Sequence, residues 1–194
     1  MSGSGGKREI EIKLRVPGAE AARRLLRGAG FRVVKRRVFE SNVLFDNAAR
    51  ELLSRKCLLR VRRAGARSTL TYKGTPSAGR HKSREELETL LASPETIEAI
   101  LDRLGLRPVF RYEKYRTEFE RPGQPGLATL DETPVGVFLE LEGQPDWIDC
   151  AAGDLGFSEA DYILLSYASI YWDACRQRGQ RATNMLFGLR LPVK

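Results

Sequence analysis

The feature that most constrains the fold of this chain is a period-two alternation of apolar and charged residues. In "REIEIKLRV", residues 8–16, every even-numbered position from 10 onward is apolar and every odd-numbered position is charged. Successive side chains of a β-strand point to opposite faces, so the pattern predicts a strand with one apolar and one charged face. A single strand of this kind usually turns its charges to water.

The same alternation recurs in five further segments, and it allows two architectures. Either the charged faces point to solvent, or the apolar faces lie under helices and the charges converge inside the molecule. The acids favour the second arrangement because they come in doublets, such as Glu9/Glu11, and adjacent like charges repel unless a cation lies between them. The charged or polar faces of the five segments carry Arg60 and Arg62; Thr69, Thr71 and Lys73; Arg84, Glu86 and Glu88; Lys114, Arg116 and Glu118; and Glu140 and Glu142.

The remaining periodicity predicts a mixed fold of about eight strands and a few helices. Because few long connections separate the strands, an antiparallel sheet closed into a barrel is favoured. The predicted fold class is α+β: a closed eight-stranded antiparallel β-barrel, a tunnel with a polar, charged lumen and helices packed outside. Strands are predicted over residues 8–16, 31–46, 80–91, 108–121, 126–133 and 136–143, with a hairpin over 55–74, and helices over 16–31, 93–105, 146–156 and 166–178.

The domain organisation is predicted to be simple. Residues 1–6, "MSGSGG", are expected to form a flexible leader, and residues 7–194 a single domain with a C-terminal helical tail. Three scattered cysteines give no disulfide framework, and a single histidine, His81, argues against a zinc site. The sequence contains no apolar run long enough to cross a bilayer and no signal peptide. We therefore expect a cytoplasmic protein that does not bind membranes.

The charged residues themselves suggest a chemistry. The net charge of +8 suits an anionic partner. Carboxylates without histidine or cysteine are hard oxygen ligands of the kind that Mg²⁺ and Mn²⁺ prefer, and clustered Arg and Lys bind phosphate oxygens. Metal-binding acids and phosphate-binding bases in one site point to phosphoryl transfer. No Walker-type phosphate loop or kinase motif is present.

A series of short motifs, in order, resembles the CYTH proteins, also called triphosphate tunnel metalloenzymes. The first is "EIEIK" at residues 9–13, which corresponds to the ExExK signature of that family. The resemblance extends over roughly residues 7–175. The other motifs are "NVLFD" ending at Asp46, "LLRVRR" with Arg60 and Arg62, "TYKG" with Lys73, "REELE" with Arg84, Glu86 and Glu88, "EKYR" with Lys114 and Arg116, "LDET" with Asp131, and "GVFLELEG" with Glu140 and Glu142.

The resemblance implies a tunnel that holds a triphosphate and two divalent cations, Mg²⁺ or Mn²⁺. It implies that Glu9 orients or deprotonates the attacking water, and that Glu9, Glu11 and Lys13 form the catalytic group. The implied metal ligands are Glu11 with Glu140 at one cation, and Glu88, Asp131 and Glu142 at or around the other. The implied phosphate-binding bases are Lys13, Arg60, Arg62, Lys73, Arg84, Lys114 and Arg116. These seven bases, set against seven acids that include Glu86, predict a lumen of nearly neutral formal charge.

Three functions remain open at this stage. The favoured one is a metal-dependent hydrolase of inorganic tripolyphosphate, or of a nucleoside or thiamine triphosphate, by in-line attack of water. The second is a class IV adenylyl cyclase, which the resemblance also implies and which would make cyclic AMP and pyrophosphate from ATP. The third is a non-catalytic module that binds polyphosphate or nucleic acid, although an acidic lumen makes nucleic acid an unexpected partner. A monomer and a homodimer are both compatible with the sequence.

Several residues carry weaker expectations. Asp46 touches a substrate or a basic side chain, or caps a loop, with the structural role favoured, and Glu86 is equally compatible with a site role and a structural role. Cys57 is expected to pack on the apolar outer face of the barrel. Tyr167 and Trp172 are expected to be hydrophobic anchors of a tail helix that closes one mouth of the tunnel, with Ser166 as its cap.

Overall fold

The computed structural model describes residues 7–188, so the predicted leader over residues 1–6 lies outside the described part of the chain. The chain alternates between strands and short helices, with a 3-10 turn at Glu159–Asp161. The strands are β1 (Lys7–Val16), β2 (Arg32–Asp46), β3 (Leu58–Ala64), β4 (Arg67–Lys73), β5 (Lys82–Leu90), β6 (Arg107–Glu120), β7 (Leu127–Thr133) and β8 (Gly136–Glu142). The helices are α1 (Ala19–Gly28), α2 (Glu51–Ser54), α3 (Pro94–Arg103), α4 (Pro145–Asp154) and α5 (Tyr167–Gln177).

The eight strands form the closed antiparallel barrel that the sequence predicted. Their order around it is β1-β5-β4-β3-β2-β6-β7-β8. β1 closes the barrel by pairing with β5 on one side and β8 on the other, so that Glu11 is level with both Lys82 and Glu142. The long strand predicted over residues 31–46 is irregular near its start, where register shifts between Val33 and Val38 accommodate its pairing with β6. Such shifts bend a strand and increase its local twist.

The two faces of β1 show which architecture the chain adopts. Ile12 and Leu14 are fully buried in a cluster that includes Leu26 of α1 and Ile148 of α4, so the apolar face lies under the outer helices. The charged face is equally shielded, because Glu9, Glu11 and Lys13 are only 4%, 6% and 3% exposed. A strand buried on both faces with charges on one of them requires a polar interior, and this is the lumen.

The tail helix α5 packs at the barrel end where β6 begins. Its aromatic residues join Phe110 and Tyr112 of β6 in a second hydrophobic cluster. Ser166 caps it, as predicted: its hydroxyl oxygen accepts a hydrogen bond from the Ser169 backbone N–H at 3.1 Å. The outer helix α3 begins in the same way, with Ser93 accepting from the Thr96 N–H at 3.3 Å.

The segment between β2 and β3 contains one helix that the sequence did not predict, α2. The carboxylate of Asp46 accepts hydrogen bonds from the backbone N–H groups of Leu52 and Leu53, at 3.1 and 2.9 Å, and thereby fixes this turn of helix. The capping alternative for Asp46 is therefore the one observed. Cys57 precedes β3 and is among the residues that line the cavity. Its sulfur accepts a hydrogen bond from the hydroxyl of Tyr72, whose parity on β4 is opposite to that of Lys73, so the expected packing of Cys57 on the outer face stays a prediction.

No helix within residues 7–188 is both long enough and apolar enough to cross a membrane.

Candidate active site in the lumen of the barrel

The interior of the barrel contains a cavity of about 890 Å³. Twelve of the thirteen residues to which the sequence assigned a catalytic, metal or phosphate role line it; the exception is Asp131. Nine bases and seven acids line the cavity, and two further acids, Glu40 and Asp131, lie buried behind it in contact with its bases. Formal charges therefore cancel in the lumen, in agreement with the nearly neutral interior that the sequence predicted.

The centre of the lumen is a pair of carboxylates that share one ammonium. Lys13 Nζ lies 3.2 Å from both Glu11 Oε1 and Glu140 Oε1. Burial is the largest single effect and would raise the pKa of both acids, but the surrounding bases, led by Lys13, together outweigh it and hold both pKa values well below their usual range. The same pairing raises the pKa of Lys13 despite its burial. All three groups are therefore charged at neutral pH.

Glu9 lies on β1 two residues before Glu11 and belongs to a second group of charges. Its carboxylate accepts hydrogen bonds from Lys73 of β4 and from Arg84 Nε of β5, the latter at 3.3 Å. Lys73 also lies 3.2 Å from Glu86, which lines the cavity. Glu86 thus lies in the wall of the cavity, where the site role that the sequence left open for it is possible.

A third group lies on β3, β4 and β5. Arg62 donates to both carboxylate oxygens of Glu88, at 3.0 and 3.3 Å, and the Thr71 hydroxyl donates to Glu88 at 2.7 Å. Arg60 is 8% exposed and donates to Thr71 and to the Tyr112 hydroxyl. These contacts lower the pKa of Glu88, although its partial burial acts in the opposite direction.

Asp131 is fully buried and anchors two of the predicted phosphate-binding bases. Arg116 donates to both of its oxygens, at 2.7 and 2.6 Å, in a bidentate pair, and Lys114 donates to Oδ2 at 2.8 Å. The Tyr167 hydroxyl, at the start of α5, donates to the same oxygen at 2.8 Å. Tyr167 is therefore more than the hydrophobic anchor that the sequence predicted, since its hydroxyl connects α5 to the buried carboxylate of Asp131.

Besides Lys56, which lies in the turn before β3 and lines the cavity, two charged residues of the lumen were missed by the sequence analysis. Lys82, the first residue of β5, lines the cavity with its Nζ 2.8 Å from Glu11, and burial, assisted by the neighbouring Lys13 ammonium, lowers its pKa to about 8. Glu40 of β2 is 1% exposed and lies 3.6 Å from Lys114. Parity would have found both, because Lys82 lies on the same strand face as Arg84 and Glu86, and Glu40 on the same face as Asn42 and Asp46.

Several buried polar atoms on the inner face of the barrel have no hydrogen-bond partner among residues 7–188. They include both polar atoms of the Asn42 side chain, Nε of Arg60 and the hydroxyls of Thr69 and Thr129. Buried polar groups are almost always paired with protein, water or ligand. Their concentration around the lumen therefore fits an interior that is filled by water or by a polar ligand.

The lumen also fits a divalent metal of the hard, oxygen-binding kind. Within the described residues, no three acidic, histidine or cysteine side chains come together as a ready-made metal cluster. Mg²⁺, however, is commonly held by only one or two carboxylates together with water and substrate phosphates. Glu11 and Glu140, on either side of Lys13, provide such a pair of oxygen ligands.

The single histidine lies apart from these groups. His81 Nε2 is 2.7 Å from Asp149 of α4, whose carboxylate also accepts from the Tyr162 hydroxyl at 3.0 Å. These contacts join the start of β5 to α4. His81 is absent from the residues that line the cavity.

Comparison with known proteins identifies one family over most of the chain. The CYTH domain matches residues 7–162. A Methanocaldococcus jannaschii protein named "Putative adenylate cyclase MJ0240" is 28% identical over 135 residues, which are 69% of this chain and 75% of that protein.

Solved structures share the fold. The PH1012 protein of Pyrococcus horikoshii superimposes with a TM-score of 0.69 at 26% identity, covering 84% of this chain and 98% of that one. A Hippeastrum protein, described as a "putative adenylyl cyclase" with a dominant triphosphatase activity, gives a TM-score of 0.62 at 20% identity, covering 90% of this chain and 97% of its own.

Proposed function

Because the chain belongs to the CYTH domain family, whose members act on triphosphates, we propose that it is a metal-dependent triphosphatase. It would hydrolyse tripolyphosphate, or a nucleoside or thiamine triphosphate, by in-line attack of water on the terminal phosphorus. The observation that carries this proposal is the composition of the lumen: nine bases and seven acids line one cavity of about 890 Å³.

The bases would bind the triphosphate by exchanging partners. Eight of the nine lumen bases are paired with carboxylates, as Lys73 is with Glu9 and Arg62 with Glu88. A phosphate oxygen offers the same charge-assisted hydrogen bond, and the planar guanidinium of Arg can form two in parallel. Bases held in place before the substrate arrives need little reorganisation when charge develops on the transferred and leaving oxygens.

The carboxylates released by this exchange are the groups proposed to hold the cations. Glu11 and Glu140 would hold one divalent cation, and Glu88 and Glu142 would hold or surround a second. When bound, such ions neutralise phosphate charge and activate water. Asp131 is kept as a predicted ligand, but it would have to exchange one of its four hydrogen bonds to protein for a metal. We favour a positioning role, in which it fixes Arg116 and Lys114.

Glu9 is proposed to orient or deprotonate the attacking water. Lys73 of β4 and Arg84 of β5, on adjacent strands, each hold one of its two oxygens, which fixes the direction of the carboxylate. Transfer of either base to a phosphate oxygen would leave one oxygen of Glu9 available to a water molecule. This arrangement links activation of the water to occupation of the site by the substrate.

Adenylyl cyclase activity is the second candidate, and a specific feature of the cavity supports it. Apolar side chains, including Leu53, Leu58 and Leu165, line the same cavity as the charges, together with Trp172. They would accommodate the organic part of a nucleoside triphosphate, and the M. jannaschii relative carries the cyclase name. Hydrolysis is preferred because no motif that reads adenine is evident, and because a triphosphatase activity is described for the Hippeastrum protein of the same fold.

The decisive experiment is a product analysis with purified protein. Tripolyphosphate, thiamine triphosphate and ATP are each incubated with Mg²⁺ or Mn²⁺, and phosphate, pyrophosphate and cyclic AMP are measured. We expect metal-dependent phosphate release from at least one substrate, abolished in Glu11→Gln. Cyclic AMP with pyrophosphate from ATP would establish the cyclase instead, and binding without any product would establish a non-catalytic polyphosphate module. A cytoplasmic location, and a monomeric or homodimeric state, remain predictions.

A further inference from the structure

Lys82 is a buried lumen base that none of the recognised motifs contains. Its side chain is 7% exposed, it lines the cavity, and its Nζ lies 2.8 Å from Glu11 Oε1. The β1–β5 register places Lys82 directly beside Glu11, on the same inner parity as Arg84. The contact therefore follows from strand pairing and does not depend on a flexible loop.

Glu11 Oε1 is surrounded by three cationic groups. Lys82 is the nearest at 2.8 Å, followed by Lys13 at 3.2 Å and Arg84 at 3.9 Å. Lys13 is also held by Glu140, and Arg84 by Glu9, whereas the ion pair described for Lys82 is with Glu11. Of the three, Lys82 can leave Glu11 without breaking a second ion pair of the site.

A divalent cation on Glu11 would lie close to the Lys82 ammonium and would compete with it for the negative charge of one carboxylate. In a buried site the repulsion between them is large. Lysine carries its charge on a flexible four-carbon stem with three rotatable donors, so its ammonium can move to a nearby acceptor at small cost. The acceptors that would arrive in this cavity are phosphate oxygens.

We propose that Lys82 competes with a divalent cation for Glu11 and, once displaced, binds a phosphate oxygen of the triphosphate. This inference rests on the proposed function for the identity of the ligand. Lys82 would then couple the two binding events: it weakens metal binding in the absence of the polyphosphate and strengthens polyphosphate binding in the presence of the metal.

The proposal is tested by calorimetric titration of Lys82→Met, which keeps the length and apolar character of the stem and removes the charge. We expect Mn²⁺ alone to bind the variant about tenfold more tightly than the unaltered protein, and tripolyphosphate in the presence of Mn²⁺ to bind about tenfold more weakly. Arg24→Met is the control, because Arg24 is an exposed base of α1 that pairs with Glu20 at 2.9 Å, and neither residue lines the cavity. It should change neither affinity.

Opposite changes in the two affinities are the signature of competition, because a lysine that merely supports Glu11 would give weaker metal binding when removed. Unchanged or weaker Mn²⁺ binding by Lys82→Met, or unchanged tripolyphosphate binding, would overturn the proposal. If Lys82→Met does not fold, Lys82→Gln is titrated in the same way, and Lys82→Arg should keep a metal affinity near that of the unaltered protein. Because the proposed function would hydrolyse tripolyphosphate during the titration, its imido analogue, which has no P–O–P bridge to cleave, is titrated in its place. Protein that binds both ligands but releases no phosphate from tripolyphosphate would refute the proposed function alone.

Discussion

At the scale of single residues, the lumen shows how neighbours decide what a charged side chain does. Glu11 and Asp131 are both buried acids paired with bases, yet Glu11 lines the cavity while Asp131 lies behind it and accepts four hydrogen bonds from protein donors. An acid of the first kind is placed to meet a ligand. An acid of the second kind holds other side chains in place.

Replacement of Asp131 by asparagine should therefore affect stability first. Asp131→Asn leaves the buried charges of Arg116 and Lys114 without their main counter-ion, and we expect the free energy of unfolding to fall by about 3–5 kcal/mol. Urea denaturation measures this change. Asp102→Asn, which removes an exposed partner of Arg107, is the control and should cost less than about 1 kcal/mol. A loss of similar size in the two variants would contradict the anchoring role.

Arg60 provides a test of phosphate binding. It is 8% exposed and lines the cavity, and its Nε has no partner among the described residues. Loss of one charge-assisted hydrogen bond to phosphate, worth about 1.5–3 kcal/mol, predicts that Arg60→Ala raises KM by about 10- to 100-fold with a smaller effect on kcat. Arg63, on the opposite face of β3, pairs with Glu95 and Glu98 of α3, and Arg63→Ala should leave KM unchanged. An unchanged KM in Arg60→Ala would exclude Arg60 from the substrate site.

At the scale of elements, the strands build the site and α5 completes it. The barrel strands place charges at every second residue, and α5 contributes Tyr167, Ala168, Ser169 and Trp172 to the wall of the cavity. Tyr167 donates to Asp131 from the first turn of α5. The position of the helix is thus linked directly to the bases that Asp131 holds.

Removal of the cap of α5 should consequently disturb catalysis as well as stability. Ser166→Ala loses the hydrogen bond from the Ser169 N–H and should cost about 1 kcal/mol of unfolding free energy. Because Tyr167 follows directly, we also expect kcat/KM to decrease. Ser93→Ala removes the equivalent cap of α3, outside the lumen, and should cost a similar amount while kcat/KM stays constant. Equal catalytic effects in the two variants would show that only general stability was measured.

At the scale of the whole molecule, charge is divided between a neutral interior and a basic exterior. Because the nine bases of the lumen are matched by nine acids in or behind its wall, the net charge of +8 belongs to the rest of the chain. The interior ion pairs depend on ionised carboxylates with depressed pKa values, and this dependence has a consequence for the response of the fold to acid.

The free energy of unfolding should decrease with falling pH. The decrease occurs over the range in which these acids are protonated in the unfolded chain but still ionised in the folded protein. Although burial opposes the shift, Lys114, Arg116 and Arg62 lower the pKa of Glu40 to about 2, against 4.5 for an unperturbed Glu. The unfolded chain therefore takes up the proton first, so the contribution of Glu40 is present above about pH 4.5 and is lost between there and about pH 2. Urea denaturation from pH 7 to pH 2.5 measures the slope. It should be shallower in Glu40→Gln, and a free energy that stays constant down to pH 3 would contradict the prediction.

The sequence by itself determined the strands, their two faces and most of the candidate site. Alternation is a local property that directly gives the parity of each side chain, so twelve of the thirteen residues assigned by motif and parity line the cavity. The helices that cover the barrel follow from local signals of the same kind, such as the serines that cap α3 and α5.

Only the tertiary structure decided how deep each inward side chain lies and what it touches. Parity does not distinguish Asp131, behind the cavity wall, from Glu11 on its surface, because depth depends on strand register and on the helix that packs above. Lys82 contacts Glu11, which is 71 positions away in the sequence. Tyr167 contacts Asp131, which is 36 positions away. Such contacts exist only after the barrel closes, which brings β5 to β1 and allows α5 to cover its end.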